Sequence, residues 1–404
     1  NILFYKFDVW FFELTHKRYN MLPNQSVLLI WMFVLMTAII VLFSTQQFNF
    51  LDKDVKYRNE QIDGLRFFLS IFVVFHHYVL SESYFFGSGW TYDAIKEYPV
   101  NQVIGRYGVS LFFMISGFLF CNIKSSARDW FVFYIKRFFR IAPLFTLSSC
   151  VCISLAFFLS QNPSTSDISL KSLAYWFNMG LSMTKPDIFS LQNSSLINAS
   201  VTWTLYWEWG FYFSLPFVLF LKSKWCGLSL SISIIFLCVF IYADINSFNA
   251  TLISFFSIGF LCAELTKIIS LSVRTCNVLI VFGGVFCIFI VDDPYTIFSI
   301  PGVGLIFFAI SMGGDFFGLL KMKGVRRLGE ITYSTYMLHG IFLYVLNFFI
   351  SPNISKQTYM LLSSFTILLI LIISSFTFYV IEAPLNKLGS QIATRMLKTH
   401  LKSH

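Results

Sequence analysis

Residues 62–78 have the sequence IDGLRFFLSIFVVFHHY, and this stretch decides what kind of fold the chain can adopt. Nine residues separate Arg66 from His76, and only Ser70 among them is polar. The apolar window that they begin, residues 66–84, has the length that a membrane-spanning helix needs. A barrel strand would instead alternate polar and apolar residues over about ten positions. The stretch therefore predicts a transmembrane helix with ionisable side chains on both sides of its apolar run.

The composition of the whole chain agrees with a membrane protein. Of its 404 residues, 56% are hydrophobic and 12% are charged, with a mean hydropathy of +0.70, whereas soluble domains contain about 25% charged residues. So little charge cannot cover a soluble globule, and 51 Phe residues exclude a disordered chain. The net charge of +9 is spread over short clusters between apolar runs, which predicts no nucleic-acid partner.

Ten further windows of similar length and apolar character occur along the chain. Because runs this long are uniformly apolar, they fit helices and not strands. We predict an all-α polytopic membrane protein, a bundle of about ten core transmembrane helices plus one extra N-terminal helix. The eleven windows are 27–45, 66–84, 104–122, 141–160, 203–221, 225–243, 250–266, 275–291, 296–312, 331–350 and 358–380.

The basic residues between the windows orient the bundle. If the segment before Arg66 faces the cytoplasm, 21 of the 29 Lys and Arg residues fall in cytoplasmic segments and 8 in outer ones. Cytoplasmic loops carry such an excess, so we predict a multi-pass protein with a cytoplasmic C-terminus. Two long outer loops remain, near 85–103 and 161–202. The second is long enough for a lid or a substrate surface, with a passive connector as the alternative.

Three parts are predicted along the chain: an N-terminal extension with the extra transmembrane helix over 1–57, a transmembrane domain over 58–390 and a cytoplasmic tail over 391–404. The window 27–45 has neither a basic n-region nor a clear small-residue cleavage site, which favours a helix over a signal peptide. Met21 is a credible start of translation. At the other end, the segment 382–384 is expected to close the final helix.

Eight cysteines fall in or beside apolar runs and form neither a CxxC motif nor a cluster with histidine. We interpret them as small core hydrophobes rather than as disulfides or zinc ligands, and we expect no metal site. They are Cys121, Cys150, Cys152, Cys226, Cys238, Cys262, Cys276 and Cys287.

Arg66 and His77 lie on one face of the predicted helix, since eleven steps of about 100° come within about 20° of three full turns. At about 1.5 Å per residue they stand roughly 16 Å apart, with Arg66 at the cytoplasmic mouth and His77 near mid-membrane. Asp63 is placed to pair with Arg66 and fix its orientation. A cation can hold an anionic donor while neutral imidazole acts as base. Helix packing is the alternative for His77 and the expected role of His76.

A carboxylate stands inside the aromatic segment 203–212, WTLYWEWGFY. Thr204, Glu208 and Tyr212 follow one another at intervals of four residues, so they share a helix face. An aromatic belt at the membrane interface explains rings such as Trp203, but it does not explain Glu208. Aromatic rings beside a carboxylate are also a way to hold sugars, so the segment indicates an acceptor site.

Two other polar groups interrupt apolar segments. Arg137 and Arg140 lie one helical turn apart, so both guanidinium groups could grip one phosphate-bearing ligand. Topology anchors and lipid-headgroup contacts are the alternative for this pair. His339 lies about two turns inside a helix that begins near Leu328, and Tyr336 could orient its ring. Ligand contact and helix packing both stay open for His339.

In these segments the chain resembles the acyltransferase-3 family of integral membrane acyltransferases, over about residues 58–390. The sequence from Ile62 to Arg66, followed by His77, resembles the opening motif of that family. Six matching segments in the family's order are specific, whereas one would be weak. The other five are 110–119 (SLFFMISGFL), 137–143 (RFFRIAP), 203–216 (WTLYWEWGFYFSLP), 328–339 (LGEITYSTYMLH) and 381–384 (IEAP).

The resemblance implies a cytoplasmic acyl-CoA donor, usually acetyl-CoA, and an acceptor hydroxyl on the far side of the membrane. It also implies that Arg66 contacts the donor and that His77 is essential to catalysis. Arg137 and Arg140 would serve the donor side as well. Thr204 stands where the family usually has serine, and it retains the hydroxyl.

We therefore expect an O-acetyltransferase of the bacterial inner membrane that acetylates a sugar hydroxyl of a surface glycan, a lipopolysaccharide O-antigen or its precursor. Its partners would be a lipid-linked or polymeric glycan and membrane lipids. Trp203, Glu208, Tyr212 and His339 are expected to contact the acceptor. The alternatives are a polysaccharide transporter or flippase, which would leave the glycan's mass unchanged, and a polymerase, which would change its length.

Overall fold

The computed structural model describes residues 22–52, 59–123, 126–160, 169–245, 248–291 and 293–400. In these ranges the chain forms helices and loops and no β-strand. The predicted start at Met21, the residues before it and the last four residues of the predicted tail lie outside them.

Fourteen α-helices occur in the described ranges, and each of the eleven predicted windows overlaps one of them. Three helices were not predicted: α5, α11 and α14. The helices are α1 Leu22–Ser44, α2 Glu60–Phe85, α3 Pro99–Phe120, α4 Ala127–Leu159, α5 Leu170–Phe177, α6 Trp203–Lys224, α7 Gly227–Ile245, α8 Phe248–Leu265, α9 Val273–Ile290, α10 Ile300–Ser311, α11 Lys323–Glu330, α12 Thr332–Phe349, α13 Lys356–Thr377 and α14 Ala383–His400.

The lengths of these helices suit a membrane. Six helical segments of the described chain are long and apolar enough to cross one, and three apolar helical segments of 10–17 residues accompany them. In the hydrocarbon core every backbone polar group needs an internal partner, which a helix provides. The predicted all-α polytopic membrane fold is thus confirmed. The number of eleven crossings stays a prediction.

Helix α2, the stretch with which the sequence reading began, lies at the centre of the bundle. In its most apolar window 83% of the residues are buried inside the protein, against 28% in the window of α1. The Asn59 side chain caps α2 by accepting a hydrogen bond from the Ile62 amide at 3.2 Å, which satisfies one of the amides left free at a helix start. Helices α3, α11 and α12 pack around α2.

The first turns of α2, which carry Asp63 and Arg66, are held by very close backbone packing. A Cβ atom on Gly64 would lie 2.0 Å from the Leu320 carbonyl oxygen, and one on Gly329 would lie 2.1 Å from the Asp63 carbonyl oxygen. Only glycine fits such an approach, because a methyl group there would overlap the neighbouring backbone. The glycines of two sequence motifs, near 64 and 329, therefore fix where Asp63 and Arg66 stand.

Arg327 joins α1 to the rest of the bundle. Its side chain is 2% exposed, and it donates to the Asp52 carboxylate at 2.7 and 2.8 Å and to the carbonyl oxygens of Phe43 and Thr45 at 2.8 and 2.5 Å. It also donates to the Asn49 side chain. The carbonyl groups at the end of α1, which lack partners inside the helix, thus receive a buried cation.

Replacing Arg327 by leucine is expected to lower the free energy of unfolding by about 2 kcal/mol, because buried acceptors lose their donor. Thermal unfolding in detergent measures this. Arg326→Leu is the matched control: Arg326 pairs with Glu60 at 2.6 Å but both side chains are about one-third exposed, so its loss should cost less than about 1 kcal/mol. Equal effects of the two substitutions would contradict the assignment.

Arg327 also makes this junction sensitive to acid. Its hydrogen bonds hold the pKa of the Asp52 carboxyl below the ordinary value. A group whose pKa is lowered in the folded state contributes stability above its ordinary pKa and loses that contribution as the pH falls through the folded-state pKa. The junction is therefore fully formed at neutral pH.

The described part of the second long loop, from residue 169 onward, is anchored to the bundle at two places. It contains α5, whose Trp176 is fully buried, and a 3-10 turn, Ser194–Asn198, that packs against α12. A Cβ atom on Gly340 of α12 would lie 2.3 Å from the Asn198 carbonyl carbon. The described part of this loop is thus a fixed cap on the end of the bundle opposite to Arg66.

Two predictions about local structure are wrong. The segment 382–384 does not close the final helix, because a π-helical turn, Phe378–Glu382, leads directly into α14, which packs against α4. All eight cysteines are free, and six are buried, but Cys150 and Cys226 are exposed. These two thiols are therefore not core residues: Cys150 lies on an exposed face of α4, and Cys226 lies in the loop between α6 and α7.

Candidate functional site

Three ionisable residues of α2, Asp63, Arg66 and His76, have defined partners in the structure. Arg66 lies 3.7 Å from the Asp63 carboxylate, one turn earlier, as predicted. His76 is buried, and its Nδ1 lies 2.6 Å from the Asn101 carbonyl oxygen of α3. Since a carbonyl accepts only, Nδ1 of His76 carries the proton. His76 is therefore a packing histidine, as expected.

A cavity of about 630 Å³ opens at the end of the bundle where Arg66 lies. We call this the basic end, because Arg66, Lys136, Arg137 and Arg140 all line the cavity there. The walls come from α2, α3, α4, α6, α11, α12 and α14 and from the π-helical turn before α14. Four cations on one apolar cavity can hold an anionic ligand, because phosphate oxygens accept charge-assisted hydrogen bonds from Arg and Lys.

The two arginines of α4 differ in their availability. Arg140 forms an ion pair with Glu382, which is 2% exposed and also accepts from the Ser334 hydroxyl. The guanidinium of Arg137 instead lies over the ring of Phe120, at 4.9 Å from its centroid, and its Nε is buried without a hydrogen-bond partner among the described residues. An unsatisfied buried donor indicates a missing acceptor. Of the two arginines, Arg137 is thus the one more open to a ligand.

Glu208 lies in the wall of the same cavity, together with Thr204 and Tyr212. This confirms that the three residues share one helix face. The Glu208 carboxylate accepts from the Tyr212 hydroxyl at 2.5 Å and from the Ser116 hydroxyl of α3 at 3.5 Å. A carboxylate held this way keeps a fixed position between the cations and the far wall of the cavity.

The far wall is formed by the side chains of Thr204 and Tyr336. Their hydroxyl oxygens lie 2.9 Å apart, and both donate to the Val201 carbonyl, at 3.2 and 3.0 Å. Val201 belongs to the packed cap that precedes α6. The ring of Tyr336 then lies 6.1 Å from that of His339, one turn further along α12. Tyr336 thus lines the cavity with one part of its side chain and lies beside His339.

A pair of histidines, His77 and His339, lies beside Tyr336. Nδ1 of His77 lies 2.9 Å from Nε2 of His339, and Nδ1 of His339 lies 3.1 Å from the Thr335 carbonyl oxygen. His339 is fully buried and His77 is half-buried. Two helices far apart in the sequence, α2 and α12, meet here.

The hydrogen bonds of the pair assign its tautomers. The Thr335 carbonyl accepts only, so Nδ1 of His339 carries a proton, and in the neutral ring its Nε2 is an acceptor. Nδ1 of His77 must then be the donor, which leaves the lone pair on Nε2 of His77. Imidazole held in this form, with a second residue fixing its tautomer, is the arrangement of a general base or nucleophile.

The structure brings some of the predicted site residues together and separates others. Arg66, Arg137, Arg140, Glu208 and Tyr212 line one cavity. Neither histidine of the pair is among the residues that line it, although Arg66 and His77 belong to the same helix. Tyr336 lines the cavity, and its ring lies 6.1 Å from that of His339.

The predicted acceptor residues fall in two places. Glu208 and Tyr212 line the cavity at the basic end, while Trp203 packs against Phe248 and Tyr295, with ring centroids 6.1 and 6.2 Å away. The assignment of these residues to the acceptor stays a prediction.

Among the cavity residues that had no role assigned from the sequence are Ser116, Glu330 and Tyr333. Each lies inside a segment that carried the family resemblance, and Ser116 and Glu330 interrupt apolar stretches. Polarity within an apolar window was therefore the available indication. What the sequence could not show is that helices α3, α11 and α12 bring these side chains to the same space.

These features define a polytopic α-helical membrane protein with a basic internal cavity beside a buried histidine pair. The sequence profile described as "Acyltransferase domain" matches residues 59–381, which is most of the chain. The chain belongs to this family and is a membrane acyltransferase. No curated protein and no solved structure matches it.

Proposed function

We propose that the protein is an O-acetyltransferase that moves the acetyl group of acetyl-CoA to a sugar hydroxyl of a surface glycan, a lipopolysaccharide O-antigen or its lipid-linked precursor. The observation that carries the proposal is the position of the histidine pair. The pair lies beside Tyr336, which lines the cavity that also carries four cations. Such a cavity suits a donor with a polyphosphate head and a short reactive end.

In this reaction the CoA phosphates bind at the basic end, chiefly to Arg137 and Arg66, and the thioester reaches toward the Thr204 and Tyr336 hydroxyls. Nε2 of His77 takes the proton of the acceptor hydroxyl, whose oxygen attacks the thioester carbonyl carbon. The C–O ester bond forms and the C–S bond breaks. The leaving thiolate takes the proton back from His77, so the products are the acetyl ester and CoA with a free thiol.

A second course uses the same atoms in two steps. Nε2 of His77 attacks the thioester carbonyl carbon, the N–C bond forms, and the C–S bond breaks to release CoA as the thiolate. The sugar hydroxyl oxygen then attacks the acetyl carbon, the N–C bond breaks, and the hydroxyl proton passes to the thiolate, so the products are again the acetyl ester, neutral imidazole and CoA with a free thiol. Rapid quenching of the enzyme with labelled acetyl-CoA in the absence of acceptor distinguishes the two courses. Label on His77 supports the covalent course, and its absence supports direct transfer. Either way the bundle keeps water from the thioester.

The proposed orientation places the basic end and the C-terminus in the cytoplasm of a bacterium and the opposite end outside the inner membrane. The cations at one end of the cavity support it, because Lys and Arg are retained on the cytoplasmic side. Acetyl-CoA is cytoplasmic, so the donor would reach the basic end directly. The acceptor glycan would approach from the opposite end.

Mass spectrometry of the surface glycan, from cells with and without the gene, tests the function. Alkali-labile acetyl groups are expected only when the gene is present. A glycan of unchanged mass that no longer reaches the surface would indicate a transporter or flippase. A change of chain length without loss of ester would indicate a polymerase.

Arg137→Gln is expected to raise KM for acetyl-CoA by about tenfold or more, because one charge-assisted hydrogen bond contributes about 1.5–3 kcal/mol. Initial rates with purified enzyme measure this. Arg274→Gln is the matched control, since Arg274 is an exposed cation at the start of α9 and does not line the cavity. An unchanged KM in the Arg137 variant would show that the cavity does not bind the donor.

A further inference from the structure

The histidine pair has a second approach, on the side away from the basic end. The indole of Trp90, in the loop after α2, lies over the ring of His77 with centroids 6.0 Å apart and planes inclined by 22°. Trp90 is half-buried, and Tyr84 meets it edge-on at 6.4 Å. The indole of Trp90 therefore packs on His77, and neither ring lines the cavity at the basic end. Because Trp90 is half-buried, part of the indole surface is accessible to a ligand.

An ion pair between Arg106 and Asp293 lies on the same side of the bundle, close to Tyr92 and His76. The guanidinium of Arg106 lies 4.1 Å above the ring of Tyr92 and 5.5 Å from that of Tyr295, and it contacts the Asp293 carboxylate at 2.7 Å. The ring of Tyr92 in turn lies 5.7 Å from that of His76, the neighbour of His77. The loop after α2, the start of α3 and the loop after α9 thus converge on the same side of the histidine pair. We call Trp90, Tyr92, Arg106, Asp293 and Tyr295 the aromatic vestibule.

Two properties of the vestibule point to a ligand. Nε of Arg106 is buried and has no hydrogen-bond partner among the described residues. At the same time the Asp293 side chain is 46% exposed and Tyr92 is 45% exposed. An unsatisfied donor, an accessible acceptor and open ring faces lie within one small region. A buried donor without a partner is costly unless a ligand supplies the acceptor.

An interfacial aromatic belt is the other explanation for such rings, but it does not fit this geometry. Belt residues rest against lipid headgroups, whereas here Tyr92 lies under a guanidinium and Trp90 lies over His77. The charge also argues against a lipid phosphate. Asp293 balances Arg106, so the pair offers one donor and one acceptor and no net positive charge.

From these contacts we infer that the aromatic vestibule is the acceptor subsite and that it binds a neutral sugar ring through a vicinal pair of hydroxyls. This inference rests on the proposed function and names the part of the acceptor that is recognised. A pyranose presents an apolar C–H face, which packs on Trp90 and Tyr92. Its hydroxyls both donate and accept, so neighbouring ones match Asp293 and Arg106.

The same contacts place the acceptor and the donor on opposite sides of the reacting centre. A sugar on Trp90 lies next to the His77 ring, whereas the donor cavity ends at Tyr336 on the other side. Each substrate can then enter from its own side of the membrane. Arg106 and Trp90 act here by binding the sugar, and they determine specificity rather than the chemical step.

The test uses full-length enzyme in nanodiscs, acetyl-CoA, and surface polysaccharide of the producing strain from which esters have been removed by mild alkali. Trp90→Ala and Arg106→Gln are each expected to raise KM for the polysaccharide by about tenfold, with KM for acetyl-CoA changed less than about twofold. Trp90→Phe, which keeps a ring, should retain most of the affinity.

Two substitutions of the same kinds serve as controls. Trp225→Ala removes an exposed tryptophan at the end of α6, and Lys96→Gln removes an exposed cation of the same side that pairs only with Asp93 nearby. Both should leave KM for the polysaccharide unchanged. Arg106→Lys keeps a charge toward Asp293 and separates loss of the ion pair from loss of the guanidinium; fluorescence-detected size exclusion checks the folding of every variant.

The outcomes distinguish this inference from the function on which it rests. If wild-type enzyme acetylates no polysaccharide, the proposed function fails. If wild-type enzyme is active while folded Trp90→Ala and Arg106→Gln variants keep the wild-type KM for the polysaccharide, the acceptor subsite lies elsewhere. A rise in KM for acetyl-CoA alone would likewise overturn the assignment.

Discussion

Replacing His77 by alanine is expected to lower kcat for acetyl transfer by about 1000-fold, because the variant lacks the group that accepts the hydroxyl proton. Binding of acetyl-CoA should stay near the wild-type value, since the four cations at the basic end are untouched. Transfer assays together with equilibrium binding of labelled CoA measure the two effects separately. A loss confined to kcat identifies a group that acts in the chemical step.

His76 provides the matched control for this experiment. It is the same residue type, one position away, and its ring is buried with Nδ1 on the Asn101 carbonyl. Glutamine at position 76 keeps a donor toward that carbonyl, so the His76→Gln variant should retain most of its kcat even where its stability falls. If folded His77→Ala transferred acetyl groups at the wild-type rate, the catalytic role of His77 would be refuted.

The second large effect is expected at His339, whose Nε2 accepts the proton of His77 Nδ1. His339→Leu should lower kcat by about 100-fold, because the His77 ring then loses the partner that fixes its tautomer and orientation. KM for acetyl-CoA should change little. His339 is a positioning residue in this scheme, since it acts through His77.

A conservative substitution separates this role from helix packing. Glutamine at 339 can present an amide oxygen near the place of Nε2, so His339→Gln should keep a kcat within about tenfold of wild type. If His339 served packing alone, both variants would show lower stability without a difference in kcat. An equal loss of kcat in the leucine and glutamine variants would argue against the tautomer assignment.

Much of the fold was predictable from the sequence. Eleven apolar windows were expected to be helices, and each overlaps a helix. Uniformly apolar runs of this length leave the backbone no other way to satisfy its polar groups in a membrane. The three helices that were missed, α5, α11 and α14, are short or amphipathic. Their stability depends on packing against the bundle, and a hydropathy window does not measure that.

The candidate site was predictable in its residues but not in their grouping. The pairing of Asp63 with Arg66 and the shared face of Thr204, Glu208 and Tyr212 follow from helical spacing. Both were confirmed. Helical spacing placed Arg66 and His77 on one face of α2, but it could not show that Arg66 lines the cavity while His77 meets His339 instead. Those surroundings are supplied by other helices.

By itself, the sequence determined that this chain is a helical membrane protein, which residues interrupt its apolar windows, and to which family of acyltransferases it belongs. Hydropathy and helical period act over short distances along the chain, so they can be read from it directly. Only the tertiary structure decided that His77 meets His339, separated by 262 positions, and that Arg140 is taken by Glu382 while Arg137 is not. These contacts depend on how distant helices pack, and close approaches such as that of Gly64 to Leu320 set them.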